Sequence, residues 1–176
     1  MSFRVAFSGL MRSGKDTSAA YLMNTHGGGV NLKFADPLYE METAIYQIAG
    51  LEIPEEKERR RYLLQILGTD WGRNTVSQNI WVDIMERRVK SYLDSTNVFC
   101  TDMRFPNEID VLKNLGFTLV NIQRPDEARI AAGASHQTHA SETALNGFTG
   151  YDFVIQNDGS LEDLYKKLDA VVALYV

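Results

Sequence analysis

Apolar and polar positions divide the chain into two alternating kinds of segment. Short runs rich in apolar residues predict buried strands at 3–8, 30–34, 97–101, 117–122 and 151–155. Between these runs, apolar residues recur every three or four positions and predict helices at 15–24, 37–49, 55–67, 79–93, 105–115 and from 160 onward. Strands that alternate with helices favour an α/β fold, a three-layer α/β/α sandwich around a parallel sheet.

The helical stripes indicate which faces are buried. The second helix carries its stripe up to Gly50, and the helix that starts at Glu55 is apolar at its end. The last helix opens on Ser160 and Asp163, which resemble a capping pair. The predicted buried faces of these three helices are, in order, Leu38, Met41, Ile45 and Ile48; Tyr62, Leu63, Ile66 and Leu67; and Leu161, Leu164, Leu168, Val171 and Val172.

Two segments interrupt the regular alternation. One is a helical insert at about 50–95, and the other is a polar stretch of small residues at about 124–150. We therefore predict a single domain whose core comprises 1–49, 96–123 and 151–176. Inserts on α/β cores are common places for substrate lids, so the second segment is interpreted as a lid.

Composition narrows the functional classes. A chain of 176 residues with a net charge of −5 fits one domain and argues against binding of polymeric nucleic acid. Cys100 is the one cysteine, and no set of Cys and His has zinc spacing. The sequence shows neither a signal peptide nor a membrane-spanning segment, so a cytoplasmic protein is expected.

The first motif, "SGLMRSGKDT", predicts a phosphate-binding loop. Gly9, four residues, Gly14 and Lys15 follow a predicted strand and precede a predicted helix. Glycines let backbone N–H groups turn toward phosphates, and the lysine would bridge the β- and γ-phosphates. Asp16 stands where the motif has Ser or Thr, so the Mg²⁺ contact is assigned to Thr17, one position later.

The second motif, "TDMRFPNE", places Asp102 just past a buried strand. A carboxylate there faces the ligand crevice and could hold Mg²⁺ directly or through water, with Arg104 and Asn107 nearby. Equally, Asp102, Arg104 and Glu108 could form a solvated set of ion pairs.

The insert and the lid add candidates for anion binding. The run Arg59, Arg60 and Arg61 points in several directions around a helix, so at most one or two of these arginines face a ligand. Further along the insert, Gln65, Thr69 and Arg73 could contact a base, a sugar or a phosphate. The lid carries Arg124, Arg129, His136, His139, Ser141 and Glu142. The two histidines lack a third ligand, so a metal site is not predicted there.

Taken together, "SGLMRSGKDT", "FADPLYE", "LLQILGTDWGR", "IWVD", "TDMRFPNE" and "HASE" resemble the deoxynucleoside monophosphate kinases of bacteriophages. These enzymes belong to the adenylate-kinase-like P-loop nucleoside monophosphate kinase group. The resemblance implies transfer of the ATP γ-phosphoryl group to a deoxynucleoside monophosphate with Mg²⁺. It also implies a helical insert that binds the monophosphate, a homodimer and, for a viral protein, the host cytoplasm.

The resemblance also implies residue roles. Lys15, Arg104, Arg124 and Arg129 would be catalytic, and the ATP loop would comprise Gly9, Arg12, Ser13, Gly14, Lys15, Asp16 and Thr17. The acceptor site would comprise Phe34, Asp36, Arg61, Gln65, Thr69, Arg73, Trp81, Asp102, Arg104, Asn107, Ser141 and Glu142. Thr17 would contact Mg²⁺, and Asp102 would do so through water.

Two alternatives stay open at this point. A kinase that phosphorylates a nucleoside or another small-molecule hydroxyl would use Asp102 as a catalytic base. A nucleotide-binding switch would bind ATP or GTP without turning over an acceptor. The arginines of the insert and lid disfavour a switch, because a switch has less need of a second anion site.

Overall fold

The computed structural model describes residues 2–92, 95–134 and 144–175, without the side chains of residues 57, 58 and 175. Its sheet has five strands in the order β2-β3-β1-β4-β5, and each neighbouring pair is parallel. The α/β class predicted from the pattern is therefore confirmed. The strands are β1 Arg4–Ser8, β2 Val30–Asn31, β3 Val98–Cys100, β4 Thr118–Gln123 and β5 Phe153–Gln156.

Helices cover both faces of this sheet. The described helices are α1 Lys15–Thr25, α2 Asp36–Ala49, α3 Lys57–Gln65, α4 Ile80–Lys90, α5 Pro106–Asn114, α6 Asp126–Ala131 and α7 Leu161–Val172. A short 3₁₀ turn, Ala173–Tyr175, follows α7. No described helix has the length and apolar character that a membrane span requires.

Alternating residues of the central strand serve two hydrophobic cores. Val5 and Phe7 pack with α1 and α7, whereas Ala6 faces the core built by α4 and α5. All three side chains have no solvent exposure. A strand buried on both faces has few polar positions, which explains the apolar run at the start of the sequence.

Strand order places the ligand crevice. The chain leaves β1 for the distant strand β2 on one side, and later passes from β3 over β1 to β4 on the other. Such a reversal opens a crevice at the carboxyl ends of the strands. The segments that follow β1, β2 and β3 therefore meet at one edge of the sheet.

The helix predicted at 55–67 is only partly correct. Regular α3 ends at Gln65, and the chain continues as a π-helix, Ile66–Val76. A Cβ at Gly72 would lie 2.4 Å from a ring carbon of Trp81, so the wider turn depends on a glycine at this contact. π-Helical segments are rare and often lie at functional sites.

Other elements also differ between the sequence-based prediction and the structure. β2 ends at Asn31 instead of residue 34, because the amides of Phe34 and Ala35 bond to Asp102. Helix α6 lies in the polar stretch for which no element was predicted. Among the residues predicted to be buried, Ile45, Ile48, Tyr62 and Leu161 are exposed. The capping pair of Ser160 and Asp163 is confirmed.

Candidate functional site

The loop between β1 and α1 has the backbone of an anion-binding turn. Gly9, Arg12 and Gly14 have φ angles of +138°, +64° and +111°. A Cβ at Gly9 would lie 2.2 Å from the carbonyl oxygen of Ile122, so no side chain fits there. The left-handed positions fold the main chain over the start of α1, where unpaired N–H groups favour an anion.

Side chains of the loop also suit a bound phosphate. Helix α1 begins at Lys15, whose Nζ donates to the carbonyl oxygens of Gly9 at 2.7 Å and Leu10 at 3.0 Å. Within the described part of the chain, the buried Oγ of Ser13 has no hydrogen-bond partner. A buried hydroxyl without a partner is costly, so a phosphate oxygen would compensate it. Gly9, Ser13, Gly14 and Lys15 thus fit the predicted role.

Two contacts from the edge of the sheet hold this loop. Asn157 donates from Nδ2 to the carbonyl oxygen of Ser13 at 2.8 Å, and the Tyr151 hydroxyl donates to Oγ of Ser8 at 3.1 Å. Both residues lie more than 140 positions from their partners, and sequence reasoning missed them. No local pattern marks a side chain that supports a loop from so far along the chain.

Both predicted lid arginines reach the same loop. Arg124 donates from a terminal nitrogen to the carbonyl oxygen of Arg12 at 3.2 Å, and Arg129 donates to that of Met11 at 3.3 Å. Arg129 also pairs with Asp126, yet among the described residues its buried Nε has no partner. The structure therefore brings Lys15, Arg124 and Arg129 to one anion-binding loop.

Asp16 connects the loop to the neighbouring strands. Its Oδ1 accepts from Lys33 Nζ at 2.8 Å and from Thr101 Oγ1 at 2.9 Å. Burial alone would raise the pKa of Asp16, but these two hydrogen bonds together with the positive charges of Lys33 and Lys15 lower the pKa overall. Thr17 follows on the exposed side of α1. Lys33 was not among the predicted site residues, because a single lysine after a strand carries no motif.

The Asp102 carboxylate accepts hydrogen bonds from two main-chain amides. Its Oδ1 accepts from the N–H of Phe34 and its Oδ2 from that of Ala35, each at 2.9 Å. Burial raises the pKa of Asp102 in spite of these two bonds. The carboxylate thereby fixes the segment that follows β2. Its predicted water-mediated contact with Mg²⁺ stays a prediction.

Glu108 organises the part of the crevice where several acceptor residues were predicted. It accepts from the N–H of Arg104 at 2.7 Å, from the N–H of Phe105 at 3.1 Å and from Arg73 at 3.0 Å. The Arg73 guanidinium also lies 4.2 Å from the centre of the Phe105 ring. Burial raises the pKa of Glu108 to about 7. Arg73 is thus held between a carboxylate and an aromatic face, whereas the Arg104 side chain is exposed.

The other predicted acceptor residues are spread over the crevice and the core. Phe34 and Trp81 are buried, and Trp81 donates its indole N–H to the carbonyl oxygen of Gly68 at 2.9 Å. Asp36 accepts from the N–H of Lys33 at 2.7 Å, and Asn107 donates to Oδ1 of Asn79 at 2.9 Å.

The insert contributes mainly exposed residues. Arg61, Gln65 and Thr69 are exposed, while the neighbouring Arg60 makes two hydrogen bonds to the fully buried carboxylate of Glu42, at 3.0 and 2.7 Å. Of the arginine run, Arg60 is therefore the one used structurally. Ser141, Glu142, His136 and His139 lie outside the described residues. Their roles, like those of the other acceptor candidates, stay predictions.

Some side chains of the site are of the kind that binds a magnesium ion. Over the described ranges, no group of three or more His, Cys, Asp or Glu side chains could hold a metal. Mg²⁺ is commonly bound by one or two protein oxygens together with substrate phosphates. The carboxylate of Asp16 and the hydroxyl of Thr17, at the start of α1, fit that pattern.

Comparison with known proteins gives consistent results. A sequence model of the family described as "Deoxynucleotide monophosphate kinase" matches residues 41–168, more than half of the chain. A putative deoxynucleotide monophosphate kinase of Acanthamoeba polyphaga mimivirus is 29% identical, with 91% of each chain covered. An uncharacterized protein, ORF77, of Ictalurid herpesvirus 1 is 37% identical over 82% of this chain, which spans 59% of that protein's length.

Solved structures agree on the fold. Shikimate kinase of Aquifex aeolicus superposes with a TM-score of 0.55 at 16% identity, and 98% of each chain is covered. At such low identity the likeness extends to the α/β architecture alone.

Proposed function

Since the chain belongs to the deoxynucleotide monophosphate kinase family, we propose that it transfers the γ-phosphoryl group of ATP to a deoxynucleoside monophosphate, giving ADP and a deoxynucleoside diphosphate. The observation that carries this proposal is the meeting of Lys15, Arg124 and Arg129 at one glycine-containing loop. Three cations around an anion-binding turn suit a reaction in which negative charge develops on a transferring phosphoryl group.

The acceptor in this proposal is a phosphate, which changes what the protein must supply. A phosphate monoester has a second pKa near 6 and is mostly a dianion at pH 7, so it needs no general base. Both oxygens of Asp102 accept backbone N–H groups, which leaves this carboxylate poorly placed to remove a proton from an alcohol. This geometry supports a phosphate acceptor over a hydroxyl acceptor.

On the donor side, the chain's own groups bind and orient. Backbone N–H groups between Gly9 and Thr17 would hold the ATP phosphates, with Arg12, Ser13 and Gly14 shaping the turn and Lys15 exchanging its carbonyl partners for phosphate oxygens. Asp16 and Thr17 would contact Mg²⁺, which neutralises phosphate charge when bound. Arg124 and Arg129, which already contact the loop, would stabilise the transferring group.

On the acceptor side, we assign the monophosphate to Arg73 and Arg104. Arg73 is oriented by Glu108, and a planar guanidinium suits two-point contact with a phosphate. Asp36, Gln65, Thr69 and Asn107 are the candidates for base and sugar contacts. The remaining candidates in this assignment are Phe34, Arg61, Trp81, Asp102, Ser141 and Glu142.

Two further expectations accompany the assignment: a homodimer, and activity in the cytoplasm of a host cell. The exposed apolar side chains Ile45, Ile48 and Leu51 support self-association, with exposed fractions of 41%, 87% and 64%. Light scattering during size-exclusion chromatography would give the mass in solution. A mass of one chain, 19.9 kDa, at micromolar concentration would contradict the dimer.

The deciding experiment is an acceptor panel. Purified protein, ATP and Mg²⁺ are mixed with each deoxy- and ribonucleoside monophosphate, with nucleosides, and with water alone, and ADP release is followed. We expect turnover with one or several deoxynucleoside monophosphates and little with nucleosides. Turnover with nucleosides alone would support a hydroxyl kinase. Tight ATP binding without turnover of any acceptor would support a switch.

A further inference from the structure

Lys33 lies between two parts of the proposed site, which we call the donor loop (residues 9–17) and the acceptor side (Arg73, Glu108 and the segment after β2). It follows β2, and its backbone is fixed from two directions, since its own N–H bonds to Asp36 and the next two N–H groups bond to Asp102. A lysine whose main chain is held this firmly presents its side chain in a restricted direction. That direction leads to α1.

The Lys33 side chain ends on a residue of the phosphate loop. Its Nζ lies 2.8 Å from Oδ1 of Asp16, and the same oxygen accepts from Thr101 Oγ1 at 2.9 Å. Thr101 in turn accepts from Asn31 Nδ2 at 3.2 Å. The ends of β2 and β3 thus converge on one carboxylate.

The position of the Asp16 carboxylate makes its contact with Lys33 relevant to nucleotide binding. Asp16 directly follows Lys15, at the motif position whose side chain ordinarily approaches Mg²⁺. A carboxylate in an anion-binding loop repels a triphosphate unless a cation balances it. Lys33 balances it before any metal ion arrives.

We propose that Lys33 is a positioning residue that neutralises Asp16 in the metal-free loop and yields this carboxylate to Mg²⁺ when the metal-bound nucleotide enters. The inference rests on the proposed function, because it assumes that the loop binds a nucleotide triphosphate. It predicts that Lys33 matters more for ATP without metal than for the Mg²⁺ complex, in which the metal supplies the balancing charge.

The test is a set of charge variants of Lys33 and Asp16 whose affinity for ATP is measured by calorimetry at low salt. Each variant is measured once with EDTA and once with Mg²⁺. The Lys33→Met variant is expected to weaken metal-free ATP about fivefold to tenfold and Mg²⁺-bound ATP by less than about twofold. The effect is this modest because the Asp16 side chain is 71% exposed. Adding Asp16→Asn to Lys33→Met should restore metal-free binding, since the uncompensated charge is gone.

Matched variants complete the set. Lys33→Arg keeps a cation and should retain metal-free binding, whereas Lys90→Met, which removes a lysine paired with Glu86 on the surface of α4, should change neither affinity. If Lys33→Met does not fold, the double variant is compared with Asp16→Asn alone, and equal affinities are expected.

Equal weakening of both forms of ATP in Lys33→Met would overturn the inference, because Lys33 would then act on the phosphates directly. So would a double variant that binds metal-free ATP no better than Lys33→Met. A wild-type protein that binds ATP in neither buffer would overturn the proposed function together with the inference.

Discussion

The donor loop and the acceptor side of the crevice are built in different ways. Around the loop, glycine conformations set the path of the main chain, as at Gly9, whose missing Cβ leaves room for the Ile122 carbonyl, and side chains such as Asn157 reach the loop through its carbonyl oxygens. On the acceptor side, side chains hold side chains and main chain. Arg73 depends on Glu108, and the segment after β2 depends on Asp102.

This difference has a physical consequence for mutation. A site formed by backbone geometry tolerates most changes of neighbouring side chains, but it fails when its own lysine or glycine changes. A site formed by buried charged groups is spread over several residues, and each of them contributes a smaller part. Substitutions on the donor side should therefore give steep losses of turnover, and those on the acceptor side graded losses of affinity or stability.

The largest effect is expected from Lys15→Ala. The Lys15 ammonium would stay in contact with the phosphoryl group while it is transferred. Its removal should therefore lower kcat by about a thousandfold or more. The variant loses two hydrogen bonds from the ammonium to carbonyl oxygens at the loop, neither of which lies in the core, so thermal unfolding should stay close to wild type. The measurement is ADP release at saturating substrates, with Lys90→Ala as the control. Near-normal turnover of Lys15→Ala would contradict the proposed role of the donor loop in phosphoryl transfer.

Substitution of the lid arginines should have the next largest effect. Arg124→Ala and Arg129→Ala are each expected to lower kcat about a hundredfold, with smaller changes in the acceptor KM, because these cations would act mainly in the transition state. Steady-state kinetics separate the two parameters. Arg59→Ala, which removes an exposed arginine of α3 paired with Glu56, is the matched control. A change confined to KM would make both arginines binding residues and reduce the contrast between the two sides.

Glu108→Gln tests the acceptor side, and its expected effect is intermediate in size. Without a carboxylate partner Arg73 loses its orientation, and the acceptor KM should rise about tenfold while ATP affinity is unchanged. Glu40→Gln, which removes a carboxylate paired with Arg88 at the surface, is the control. An unchanged acceptor KM would show that Arg73 does not contact the substrate.

The same variant carries a pH dependence of stability. Burial raises the pKa of Glu108 from 4.5 to about 7, so the folded protein keeps a proton that the unfolded chain releases between these values. The stabilisation from this group is complete below about pH 4.5 and is lost as pH rises through about 7, a change on the order of 3 kcal/mol. Urea unfolding of wild type and Glu108→Gln at pH 5, 6, 7 and 8 should show the free energy of unfolding of the wild type fall relative to that of the variant as pH rises. A difference independent of pH would contradict the raised pKa.

The smallest effect is expected from Trp81→Phe. The smaller phenyl ring would leave part of the indole volume beside Gly72 empty and would lose the hydrogen bond to Gly68, at a combined cost of about 2 kcal/mol in the free energy of unfolding. Denaturant unfolding measures the change, and Trp71→Phe, with its indole 39% exposed, serves as the control. A marked rise in the acceptor KM at unchanged stability would instead place Trp81 in contact with substrate.

Sequence reasoning located the glycine-containing loop after β1 but only outlined the surroundings of Arg73, and the donor and acceptor roles of both stay predictions. Gly9, Gly14 and Lys15 are separated by a fixed number of residues, so local spacing was enough to identify them. Arg73 was predicted, yet its partner Glu108, 35 positions away, was weighed only as part of a solvated ion-pair set. Spacing along a chain carries no information about which buried carboxylate meets which arginine.

The errors in the fold have a similar origin. In the π-helix after α3, Gly72 lies against Trp81, and the amides that follow β2 bond to Asp102. Such contacts between separate segments are not visible in local periodicity. Conversely, the apolar stripe of α2 was read as wholly buried, whereas Ile48 is 87% exposed. A helical pattern identifies an apolar face but does not say what lies against it.

The bonding of Lys15 has a kinetic implication. Because its ammonium already donates to two carbonyl oxygens, an arriving phosphate replaces existing partners instead of finding a bare charge. In the proposed reaction, binding would then be an exchange of partners, and departure of the product would return the lysine to equivalent contacts. Such self-supplied partners would oppose product inhibition and favour rapid release of ADP over tight retention.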